Sequence, residues 1–119
     1  MSKPTLYGIK NCDTVKRARA WLDTHAVDYE FHDFKSKGVP VDALARWFDV
    51  CGWEAVLNRQ GTTWRKLDDA TKASVQDVDS ATAVMVDNAS VIKRPVVEWA
   101  DGGVTVGFSE AVFASRRHA

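Results

Sequence analysis

The chain has 119 residues, and its 16 acidic and 16 basic side chains cancel to a formal net charge of zero. That length suits one compact domain with a core of its own, and the balanced charge argues against a general nucleic-acid binder. Two cysteines make no disulfide framework, the N-terminus lacks the apolar run of a secretory leader, and no stretch approaches the roughly 20 apolar residues of a membrane span, so a cytoplasmic monomer with reduced thiols is expected.

Thr5-Leu6-Tyr7-Gly8-Ile9 is a short β-prone run and predicts a strand. Asn11 and Asp13 bracket Cys12 and suit a helix start. From Asp13 to about His25, Val15, Ala18, Leu22 and Ala26 recur at helical spacing, with Lys16, Arg17, Arg19 and Asp23 between them. Val27 to His32 alternates apolar and polar residues and predicts a second strand. A strand, a helix and a strand in about 30 residues form a βαβ unit with parallel strands.

Lys35 to Pro40 reads as a loop. Val41, Leu44, Ala45, Phe48 and Cys51 then share a helical stripe, which Gly52 is placed to end. Shorter helices are predicted over Trp53–Leu57, from about Trp64 after a cap at Thr62 or Thr63, over Thr71–Val78, and over Ser80–Asp87 with Ala81, Val84 and Met85 facing inward. No strand is predicted between Pro40 and Asn88. Pro95–Trp99 and Val104–Phe108 are β-prone and flank the turn signal Asp101-Gly102-Gly103. Ser109 opens a final helix through Phe113. The layout is βαβ, a helical insertion at about 40–90, then ββα. A four-stranded mixed sheet in a single α/β domain is the economical solution.

Cys12 falls where a parallel strand hands over to a helix, the end of an α/β sheet where reactive groups gather. The partial positive charge and unpaired N–H groups of a helix N-terminus stabilise a thiolate. Position alone leaves two readings open, a reactive thiolate and a small packed side chain. Cys51 continues an apolar stripe beside Trp47 and Phe48 and is expected to be a core residue. Valine stands at position 15, where the second cysteine of a CxxC pair would be, so a reactive Cys12 works alone or with an external thiol such as glutathione.

The two cysteines and three histidines show no zinc-type spacing, and no metal is expected. His25 suits a helix C-terminus, His32 the polar side of a strand, and His118 the tail. Arg94-Pro95 stands at the entrance to a strand, where proline is tolerated. Arg59 lies in a polar loop between helices. Arginine forks match carboxylates and tetrahedral oxyanions, although surface arginines on loops and basic clusters such as Lys16, Arg17 and Arg19 are commonly just solvated.

Taken together, Tyr7-Gly8-Ile9-Lys10-Asn11-Cys12-Asp13-Thr14, Gly61-Thr62-Thr63-Trp64-Arg65-Lys66-Leu67, Ile92-Lys93-Arg94-Pro95 and Val106-Gly107-Phe108 resemble the arsenate reductase (ArsC)/Spx family, and within it the YffB-like proteins. The resemblance runs in order over nearly the whole chain. It implies a thioredoxin-like fold with a helical insertion, and a nucleophilic Cys12 with Asn11 beside it. It further implies a cis-proline at Pro95 facing the thiol, with Arg94 close by. Arg59 and Arg94 match two of three arginines that hold the oxyanion in the glutaredoxin-coupled reductases, where glutathione resolves the adduct. Gly107 stands where the third would be, and Asp13 follows the thiol where glycine is usual.

These departures argue against arsenate as substrate. The expectation is a glutathione-dependent thiol reductase with no bound cofactor. Catalysis is assigned to Cys12 and Arg94, and substrate or glutathione binding to Asn11, Arg59, Arg94 and Pro95. The alternative that the resemblance implies is an Spx-like regulator that binds RNA polymerase, here without a CxxC redox switch. A third reading is an inactive site on a retained fold.

Overall fold

The computed structural model describes residues 3–117; His118 lies outside the described residues. In chain order the elements are β1 (Thr5–Gly8), α1 (Asp13–Thr24), β2 (Glu30–Asp33), α2 (Phe34–Lys37), α3 (Val41–Cys51), α4 (Trp53–Val56), α5 (Thr62–Lys66), α6 (Asp69–Ser74), α7 (Val78–Asp87), β3 (Val96–Glu98), β4 (Val104–Val106) and α8 (Glu110–Arg116), with a 3-10 turn at Ala89–Val91. The chain divides into two compact units, Met1–Lys37 with Arg94–Ala119, and Gly38–Lys93. No helix among the described residues is long and apolar enough to cross a membrane.

The first unit holds a four-stranded mixed sheet in the order β2-β1-β3-β4. β1 and β2 pair in parallel, with Leu6 opposite Phe31, and β3 pairs antiparallel with both β1 and β4. This is the thioredoxin-like α/β arrangement that the resemblance implies. Leu6 and Val97 occupy one face of the sheet, on which Val15, Ala18, Trp21 and Leu22 of α1 and Phe113 of α8 pack. The rings of Trp21, Trp99 and Phe108 all meet Phe113 edge-on, at 5.7, 5.1 and 4.9 Å between centroids. Such edge contacts add to the apolar burial that dominates a core of this size.

β2 begins at Glu30, three residues later than the alternation from Val27 predicts. Val27 and Tyr29 do pack on the core, which explains the alternation. The ladder starts later because β1 begins at Thr5, directly opposite Glu30. Lys35–Lys37, predicted as loop, belongs instead to the helical turn α2. β3 and β4 are three residues each, shorter than their β-prone runs. Ser109 caps α8 through the Val112 N–H, and that helix runs on to Arg116 rather than stopping at Phe113.

In the second unit α3 packs against α4 and α7. Its buried face is Ala43, Leu44, Trp47 and Phe48, which keeps Leu44 and Phe48 of the predicted stripe but not Val41, Ala45 or Cys51; Val41 is 55% exposed. The predicted stripe took in Val41 and Ala45 on one side of Leu44 and Phe48, whereas packing buries Ala43 and Trp47 on the other side. Gly52 ends the helix as expected. Cys51, predicted as a core residue, is only half-buried at that C-terminus. Gly61, not a threonine, is the N-cap of α5. α6 spans Asp69–Ser74 rather than Thr71–Val78 because the Asp68 carboxylate accepts from the Thr71 N–H and sets the start. α7 opens at Val78 through a reciprocal box between Asp77 and Ser80, and Ala81, Val84 and Met85 are buried as predicted.

Candidate functional site

β1 ends at Gly8, and the chain turns through Ile9 to Asn11 before α1 begins. The Cys12 N–H donates to the Ile9 carbonyl at 3.2 Å and closes that turn. Cys12 is itself the N-cap of α1, in extended conformation at φ −95° and ψ 125°. Serine or aspartate at such a position caps with its oxygen. A neutral thiol is a poor acceptor, and Cys12 makes no conventional capping bond. A thiolate is a different acceptor, and the N–H groups of Val15 and Thr14 favour it.

Opposing effects set the acidity of this sulfur. Partial burial, the largest single influence, pushes the Cys12 thiol up. Hydrogen bonding from the Val15 N–H, the Arg94 side chain and the Thr14 N–H, together with the charge of Arg94, outweighs it and leaves the thiol below its ordinary value. Asp13, the acidic residue of the first turn, does not figure among the groups that shift it. Cys51 has only burial acting on it, which pushes its thiol up.

Val15 fixes this arrangement from below. It is fully buried, and a Cβ built on Gly8 would sit 2.8 Å from one of its methyl carbons. β1 and the first turn of α1 therefore approach so closely that only glycine fits at position 8. The position where a second redox cysteine would stand is a core position.

Arg94 and Pro95 belong to the same unit as Cys12. The peptide bond between them is cis. The Pro95 carbonyl accepts from the Gly107 N–H at 2.8 Å, tying the start of β3 to the end of β4. Gly107 has φ +85°. A side chain there would meet no neighbour, but its backbone would cost about 1–2 kcal/mol in the left-handed region, which disfavours an arginine. Asn11 is exposed immediately before Cys12.

Arg59 lies in the second unit, on the loop between α4 and α5. Its guanidinium carbon sits over two indoles, 5.8 Å from the Trp53 ring and 5.9 Å from the Trp64 ring. Pairwise ring contacts of this kind are not legible in a sequence, although tryptophan on both sides of the loop was a signal. The basic cluster of α1 is also more than a solvated face. Arg19 lies 4.0 Å over the Phe31 ring and donates to the Tyr29 hydroxyl at 2.9 Å. His25 bonds the Trp21 carbonyl at 2.8 Å through Nδ1, as suits a residue at a helix C-terminus. His32 stands 5.1 Å from the Tyr7 ring. Among the described residues no cluster of three or more His, Cys, Asp or Glu side chains is placed to hold a metal.

Comparison with known proteins bears on the family and the fold. The ArsC family model matches residues 7–115. The solved structure of a YffB protein is 49% identical, covers 96% of this chain and 98% of its own, and superposes with a TM-score of 0.90. An arsenate reductase (ArsC) related protein of Brucella melitensis is 46% identical over 96% of this chain and 93% of its own, with a TM-score of 0.73. The global transcriptional regulator Spx of Streptococcus pyogenes is 28% identical over 89% of this chain and 78% of its own length. With a family model spanning nearly its whole length and the fold of its relatives, the chain belongs to the ArsC family.

Proposed function

We propose that the chain is a thiol-dependent oxidoreductase in which Cys12 is the nucleophile and glutathione the co-substrate. The observation that carries this reading is the convergence of two helix N-terminal N–H groups and Arg94 on one sulfur. These groups favour the thiolate, which is the attacking species in thiol exchange. In a first step the Cys12 thiolate attacks the glutathione sulfur of a glutathionylated substrate. A Cys12–glutathione disulfide forms, the substrate S–S bond breaks, and the released thiolate takes a proton from solvent. A second glutathione thiolate then attacks the sulfur joined to Cys12, releasing oxidised glutathione and restoring the Cys12 thiolate. Glutathione is oxidised, the substrate is reduced, and no other redox partner is needed.

Arg94 serves both the thiolate and an anionic group of the substrate. Asn11, which precedes Cys12 in the chain, and Pro95, which follows Arg94, take part in holding the substrate. Arg59, on the second unit, is assigned an anion-holding role of its own. Gly107, held left-handed, and the carboxylate of Asp13 beside the thiol both speak against an arsenate site. The test is mass spectrometry of the protein with a glutathionylated peptide. Wild type is expected to gain one glutathione at Cys12 and to lose it on adding free glutathione. Equal reduction of the peptide by Cys12→Ser would overturn the reading.

The Spx relatives favour a second reading, a transcriptional regulator acting through contact with RNA polymerase. In that role the chain has no dithiol switch at the CxxC spacing, because valine stands at position 15. A complex with RNA polymerase that survives Cys12→Ser would favour it over the enzyme.

A further inference from the structure

The second unit carries an arginine arranged differently from its neighbours in sequence. Most arginines with defined partners here spend a donor on them. Arg19 gives its Nε–H to the Tyr29 hydroxyl, Arg46 faces Asp42, and Arg116 faces Asp101. Arg59 is exposed and has no carboxylate partner among the described residues. Its contacts are the rings of Trp53 and Trp64. A cation–π contact needs no oxygen acceptor, and no oxygen among the described residues accepts from the Arg59 guanidinium. An arginine held by rings rather than by a carboxylate therefore keeps donors for a ligand, with part of the ordering cost already met.

The mounting is fixed on both sides. Trp53 begins α4 and Trp64 sits within α5. Between them the Asn58 side chain accepts from the Gln60 N–H at 3.0 Å. The Asn58 N–H donates to the Val91 carbonyl at 2.7 Å, and the Lys93 N–H to the Val56 carbonyl at 2.8 Å, around a bridge between Leu57 and Ile92. The segment 57–67 contains Arg59, Arg65 and Lys66 and no Asp or Glu. Its local charge therefore suits an anion although the whole chain is neutral.

We propose that Trp53 and Trp64 are positioning residues that hold the Arg59 guanidinium as a preformed receptor for a carboxylate or a tetrahedral oxyanion. This rests on the anion-holding role assigned above to Arg59. It adds that the role depends on two aromatic side chains that touch no ligand.

The test follows the Arg59 Nε–Hε resonance by NMR while the full chain is titrated separately with glutathione and with inorganic phosphate, and the backbone amide resonances report binding by every variant, including Arg59→Ala. In the free protein the resonance is expected away from its random-coil position, displaced by the rings, and Trp53→Leu with Trp64→Leu returns it. Both probes are expected to shift it in wild type. Each single leucine variant should weaken binding about threefold and the pair about tenfold, as expected for exposed cation–π contacts. Trp64→Phe, which keeps a ring, should recover most of the affinity; a purely structural role would not require an aromatic replacement. Glutathione without phosphate would assign a carboxylate receptor, and phosphate alone an oxyanion receptor. If the tryptophan variants bind as tightly as wild type while Arg59→Ala does not bind, the clamp is wrong and the anion reading stands. If Arg59→Ala binds as tightly as wild type, or neither probe moves the resonance, Arg59 is no receptor and both fall. Phosphate carries no thiol, so this outcome is independent of Cys12 chemistry.

Discussion

Gly8→Ala tests the claim that the close approach of β1 to α1 sets the chemistry of Cys12. The new methyl would lie 2.8 and 3.3 Å from the two γ-methyl carbons of Val15, inside the contact range that real side chains tolerate. Val15 is fully buried and cannot move out of the way cheaply. Overpacking a core contact of this kind costs about 1–3 kcal/mol, or roughly 4 °C of melting temperature per kcal/mol for a chain of this size. Val15→Ala alone costs about 2 kcal/mol through lost burial and a cavity. The double variant puts the Gly8 methyl into the space that Val15 vacates. Its cost should therefore fall below the sum of the two by at least about 1 kcal/mol, since neighbouring sites couple on that scale. Urea unfolding of the four proteins measures this directly. Because the Val15 N–H faces the sulfur, Gly8→Ala should also slow Cys12 alkylation, and Val15→Ala should restore it. Strictly additive stabilities would refute the reasoning, as would full Cys12 reactivity in Gly8→Ala.

Arg94→Ala removes both a hydrogen bond and a positive charge from the Cys12 sulfur, so the midpoint of its alkylation should rise by a measurable fraction of a pH unit or more. Ionisation of Cys12 also contributes to stability. The thiol is depressed in the folded chain, so this contribution is present above the ordinary thiol pKa and is lost as pH falls through the folded value. The melting temperature of wild type relative to Cys12→Ser should accordingly increase on going from neutral pH to above about pH 9. Phe113→Ala empties the aromatic centre between Trp21, Trp99 and Phe108 and should cost about 3–5 kcal/mol in urea unfolding; a loss under 1 kcal/mol would show that this cluster is not the core.

Much of the first unit is legible in the sequence because its signals are local and reinforce each other. The alternation around Phe31, the spacing of Val15, Ala18 and Leu22, and the Asp101-Gly102-Gly103 turn each report one face or one corner. The second unit is harder. Its helices are short, and their starts are set by side-chain caps at Asp68 and Asp77 that hydrophobic spacing does not reveal. On α3 the spacing admits two stripes, and only packing selects the one containing Trp47. At the candidate site, the placement of Cys12 at a helix start follows from the strand-to-helix handover. That Arg94 reaches the sulfur across 82 positions of chain does not. It came from resemblance to a family and needed the fold to become geometry. The aromatic setting of Arg59 escaped both routes, because nothing in a one-dimensional pattern says that Trp53 and Trp64 meet at the same guanidinium.

The central claim is that Cys12 is a thiolate prepared by its surroundings, and that Cys51 is not. The rate of iodoacetamide alkylation at each cysteine against pH, resolved by peptide mass spectrometry, tests it most directly. The account predicts that Cys12 reacts with a midpoint below the free-thiol value of about 8.5, that Cys51 reacts with a higher one, and that Arg94→Ala raises the first without moving the second. A Cys12 midpoint at or above that of Cys51 would contradict it.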